Sequence, residues 1–88
     1  MNTQSSALLL KMFMVKCVQL EQLRNWEALV DLDRLVAAQL PATVLPLWGR
    51  WRTPQARDDR ARIMARVDEL IAGARTEQLT PIHGSEGL

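Results

Sequence analysis

Few side chains in this sequence could do covalent chemistry, and their spacing does not bring them together. Cys17 is the only thiol and His83 the only imidazole. A nucleophilic dyad needs the base within hydrogen-bond reach of the sulfur. Cys17 lies in the apolar run "ALLLKMFMVKCV", whereas His83 lies in the Gly-flanked polar stretch "TPIHGSEGL". The expectation is a solvated histidine and a reduced core thiol, with no internal disulfide possible. Asp31 with Asp33, and Asp58 with Asp59, are neighbours that point different ways on a helix, so neither pair makes an acid/base dyad. Zinc-ligand spacing, H-E-x-x-H and a Gly-rich phosphate loop are all missing. The sequence therefore predicts no metal, no cofactor and no enzyme.

Two features could still serve binding. "RWRTPQARDDRARIMAR" is locally basic and follows Trp48, a pairing of charge and aromatic that can grip nucleic acid. Interleaved aspartates, arginines spread around a helix and a net charge of only +1 disfavour nucleic acid and favour a solvated helix face. Asp33 falls inside an apolar arc, where an unpaired carboxylate would cost several kcal/mol. Two readings stay open for it: a salt bridge to an arginine of another helix, or a role in binding.

The elements that must position these residues are helices. The composition is 48% hydrophobic and 24% charged, with no tyrosine and one phenylalanine, so the core is built from Leu, Val, Ala, Ile, Met and Trp. Ser5 or Ser6 is expected to cap a first helix running to about Arg24, with Phe13, Cys17 and Leu20 on one face. Asn25 caps or breaks the chain before a second helix, Trp26 to Leu40, which Pro41 ends. "PATVLPLWGRWRTP" reads as a short irregular connection in which at least one tryptophan plugs the end of the core. Thr53 and Pro54 are expected to open a last helix running to about Arg75, followed by a flexible tail over 76–88. The predicted fold is all-α: one domain over 1–88, an antiparallel bundle of three main helices. "ALLLKMFMVKCV" is broken by lysines, lacks a positive leader and is too short for a bilayer span of about 20 residues. No membrane segment and a cytoplasmic location are expected.

The second helix is too apolar for a surface helix. Leu29, Leu32, Leu35, Val36 and Leu40 fill one side, and Trp26, Val30 and Ala37 widen the arc to roughly 220°, against the roughly 100° a surface helix needs. A middle helix in a bundle is apolar on two sides for packing alone. The excess, shared with the first helix, predicts a hairpin with one face left uncovered for a partner or a second copy of the chain.

At these residues a resemblance emerges. Trp26-Glu27-Ala28-Leu29-Val30 followed by Leu32-Asp33 resembles the W-D-x-L-x-x-L-E segment of the FliT-like family of flagellar type III export chaperones. Ile63-Met64, Val67-Asp68 and Ile71 resemble that family's I-L-x-x-D-x-x-I segment. Arg34 directly after Asp33, and apolar Val36 and Ala37, depart from the pattern. The resemblance implies a chaperone that holds an amphipathic segment of the filament cap protein in an apolar groove. It also implies contacts with export ATPase components or a flagellar transcriptional regulator. The expected partner-binding residues are Phe13, Leu20, Leu29, Leu32, Asp33, Val36 and Leu40. The alternative is a helical dimerisation or adaptor module, a homodimer without a chaperone role.

Overall fold

In a computed structural model that describes residues 2–86, with side chains through Gly73, the chain is helical throughout, with no strand among the described residues. Four helices replace the expected three: α1 (Thr3–Gln22), α2 (Trp26–Gln39), α3 (Leu45–Arg52) and α4 (Asp59–Glu86). The fourth is α3, formed where the sequence suggested an irregular connection. Pro46 sits in its first turn, where a missing amide is harmless.

The start of α1 is capped by Asn2, not by either serine. The Asn2 side chain accepts from the Ser5 amide at 2.7 Å, and Ser6 is buried. Its end is a Schellman turn: the Asn25 amide donates to the Leu20 carbonyl and the Arg24 amide to the Glu21 carbonyl, each at 3.0 Å. Arg24 occupies the left-handed position with φ 56°, a conformation that usually selects glycine. The junction is thus a tight turn and not a kink. Asn25 then caps α2, its side chain accepting from the Ala28 amide at 3.2 Å.

The expected Thr53-Pro54 helix start is not found. Thr53 ends α3 instead, its hydroxyl donating to the Gly49 carbonyl at 2.7 Å, so that oxygen is engaged backwards along the chain. Asp59 supplies the start of α4. Its carboxylate accepts from the amides of Gln55 and Ala56 at 2.7 and 3.0 Å. Those two bonds hold it below the usual carboxylate range. At the other end α4 continues past the expected stop at Arg75 to Glu86.

Packing centres on α1. It packs against α2, α3 and α4, whereas no Cα of α2 comes within 8 Å of one of α4 among the described residues. The middle place that would explain the wide apolar arc of α2 by packing alone belongs to α1. From Lys11 to Glu21 along α1 the ion-pair partner moves back from Asp68 to Arg60, so α1 and α4 run antiparallel. Leu10, Met14 and Cys17 of α1, Leu29 and Val36 of α2, Val44, and Ile63 and Val67 of α4 are sealed from solvent. Both Trp48 and Trp51 are buried. Trp48 meets Phe13 edge to face, with ring centroids 6.4 Å apart.

Candidate functional site

The apolar residues expected to line a free groove lie in the core. Phe13, Leu20, Leu29, Leu32, Val36 and Leu40 are each exposed by 8% or less. The cause is the packing order: α2 turns Leu29, Leu32, Val36 and Leu40 toward α1 and α3, and that contact consumes the centre of its wide apolar arc. Asp33 takes the salt-bridge reading. Its carboxylate accepts from Trp48 Nε1 at 2.8 Å, Arg52 Nε at 2.9 Å and Arg52 Nη2 at 3.2 Å.

That pair belongs to a row of charges crossing the molecule. Arg52 Nη1 also lies 3.8 Å from Glu21 Oε2. Glu21 receives Arg60 through two bonds of 2.6 and 2.8 Å. Arg60 donates from Nε to the Trp51 carbonyl at 3.0 Å and lies 4.7 Å over the Trp51 ring. The order α2, α3, α1, α4 is thereby spanned by Asp33, Arg52, Glu21 and Arg60. Arg60 beside Glu21 holds its carboxyl below the usual range, and Glu21 raises Arg60 in turn. Asp33 raises Arg52 through its hydrogen bond. Glu21, Arg52 and Arg60 were not singled out from sequence. Their signal would have been a charged residue on an apolar face in each helix, the feature that drew attention to Asp33.

Under this row lies Cys17, whose thiol is pushed up by burial. Trp51 Nε1 is buried beside it without a partner at hydrogen-bond geometry; the neighbouring sulfur is only a weak acceptor. The thiol lacks the exposure of a reactive cysteine. The described residues contain no group of side chains suited to a metal ion, and no helix long and apolar enough to cross a membrane.

What remains open is surface at the edges of the arc. Leu8, Met12 and Val15 of α1 are exposed and fall within about 60° of one another at 100° per residue, one stripe on the outer face. One turn after Met12, Lys16 joins Leu20, Ala28, Asp31, Leu32 and Leu35 around a shallow, mainly apolar groove of about 330 Å³ between α1 and α2. Leu20 and Leu32, buried overall, form its floor, and Leu35 is 43% exposed at its rim. Two of the seven expected residues are thus brought together at an open surface.

The opposite flank of α2 carries exposed Trp26 and Val30, leading to a second cleft of about 380 Å³ between α2 and α3. A third cleft, of about 490 Å³, lies at the α3–α4 junction and is lined in part by Arg50 and Asp59. Its carboxylate is already held by two amides, so it offers no free acid or base. No family model, curated protein or solved structure matches the chain.

Proposed function

We propose that the chain is a helical protein-binding module that holds an amphipathic helix of a partner along the outer face of the α1–α2 hairpin. On this reading it is an export chaperone of the flagellar kind, its partner is the C-terminal segment of the filament cap protein, and it works in the cytoplasm making and breaking no covalent bonds. Export ATPase components and a flagellar transcriptional regulator are the further partners the resemblance implies. We read α1, α2 and α4 as the main helices of an antiparallel bundle, with α3 set into its Pro/Trp-rich connection.

One observation carries the reading. Leu35 stays exposed at the rim of an apolar groove, and Leu8, Met12 and Val15 on the outer face of α1 beyond it, although the core beneath is complete. Large apolar side chains gathered on one face mark a contact site, and a groove between two helices suits a third amphipathic helix with anchors at three-to-four spacing. Lys16 and Asp31 at the rim can pair with charges flanking those anchors.

The test is titration calorimetry with a C-terminal fragment of the filament cap protein. The double variant Met12→Glu with Leu35→Glu changes only exposed positions, so it should fold with an unchanged circular dichroism spectrum and bind at least about tenfold more weakly. Wild-type protein that ignores the fragment would sink the flagellar assignment. A folded double variant that binds as wild type does would sink the surface.

A further inference from the structure

We propose that α2 pairs antiparallel with α2 of a second copy of the chain, each Trp26 entering the α2–α3 cleft of the other. This goes beyond the reading above and uses the opposite flank of α2.

The seam is written in the spacing. Trp26, Val30, Asp33 and Ala37 recur at four, three and four residues, the interval that keeps one line of a helix against a partner helix. Trp26 is 60% and Val30 51% exposed among the described residues. Asp33 and Ala37, at the far end of the same line, form a wall of the α2–α3 cleft with Leu45, Trp48 and Gly49. The line therefore has a projecting indole at its N-terminal end and a hollow at its C-terminal end. A two-fold axis crossing α2 near Val30 brings each knob to the other copy's hollow, as an isologous contact requires.

The charges agree with that axis. Glu27 and Arg34 both lie on the solvent flank of the seam, one heptad apart and on either side of the axis. In an antiparallel pair Glu27 of one copy faces Arg34 of the other, and the reverse. Arg34 is free to turn, being 79% exposed and only 3.9 Å-paired with Asp31. A parallel pairing would put the two copies' Glu27–Arg34 flanks on opposite sides of the seam, where they do not meet, so the charge pattern favours the antiparallel direction.

Gly49 gives the decisive variant. A Cβ there meets nothing within 4 Å, and the residue lines the α2–α3 cleft as well as the one at the α3–α4 junction. Gly49→Leu adds bulk at the wall of the hollow where a Cβ is free of contact, and replaces a weak helix former.

Sedimentation equilibrium of the full chain between about 5 and 500 µM tests the proposal, the range a small interface of micromolar affinity demands. Wild type should approach twice the 10.0 kDa chain mass. Trp26→Ala and Gly49→Leu should sediment as monomers, with Gly49→Leu melting no lower than wild type. Glu27→Arg and Arg34→Glu should each weaken the dimer about tenfold or more, and the double reversal should restore it to within about threefold of wild type. Three results would overturn the proposal. The first is a monomer throughout, which leaves the face to a different protein. The second is a dimer indifferent to Gly49→Leu. The third is a double reversal that fails to recover.

Discussion

Glu21→Gln probes the charged row at its centre. Glu21 and Arg60 are each 28% exposed and joined by two short bonds, with Arg52 a third pole at 3.8 Å. An amide in place of the carboxylate offers one acceptor where there were two and turns an NH₂ toward a guanidinium. Two arginines then face each other with no anion between them. Breaking a fully buried pair costs about 3–5 kcal/mol, and an exposed pair contributes about 0.2–1 kcal/mol. At this partial burial the substitution should cost about 2 kcal/mol. For a chain of this size that is a fall of roughly 8–16 °C in Tm.

The pH dependence adds a second, independent check on the same variant. Because Arg60 depresses the folded-state value of Glu21 below the ordinary 4.5, its contribution is present above that pH and is lost as pH falls through the lowered value. Thermal melts by circular dichroism should therefore show the full gap between wild type and Glu21→Gln at neutral pH. The gap should close on acidification below 4.5, even as other carboxylates lower both curves. A variant within about 0.5 kcal/mol of wild type at neutral pH would refute the assigned role, since that is the range of a surface substitution. So would a gap that persists undiminished in acid.

Three further outcomes follow from local geometry. Arg24→Gly should raise stability by roughly 0.5–1 kcal/mol, read as a higher urea midpoint, because glycine accepts φ 56° without the cost a Cβ brings. Met14→Ala should lower stability by about 3 kcal/mol in the same titration, since the side chain is 0% exposed and its site leaves a cavity. Cys17 should resist iodoacetamide in the native state and react only as urea populates open forms. Burial both shields the thiol and disfavours its thiolate, and mass spectrometry of the alkylated chain would follow the rate.

The elements were legible where local chemistry decides them. Asn25 before an apolar run announced the α2 cap, and three prolines announced a break after Leu40. Thr53 and Pro54 misled because a hydroxyl beside a proline suits either end of a helix; the choice fell to the Gly49 carbonyl one turn back. The candidate site was harder. Azimuth shows how wide an apolar arc is, but not which part of it a neighbour will cover. The covering was decided by α3 and by the central position of α1. They took Leu29, Leu32, Val36 and Leu40 from the middle of the arc and left Trp26, Val30 and Leu35 at its margins. Asp33 was recognisable as anomalous from its neighbours alone, while its partner Arg52 required the tertiary structure.

Because the backbones of α2 and α4 nowhere come close among the described residues, the molecule has the plan of a book. The helix α1 is its spine, the other two long helices are its leaves, and the eight residues of α3 are a clasp fastened by two indoles and two arginine pairs. Nothing else among the described residues joins the free edges. Loosening the clasp would part the leaves and uncover the deepest apolar side chains together. The shortest helix thus governs access to the whole interior.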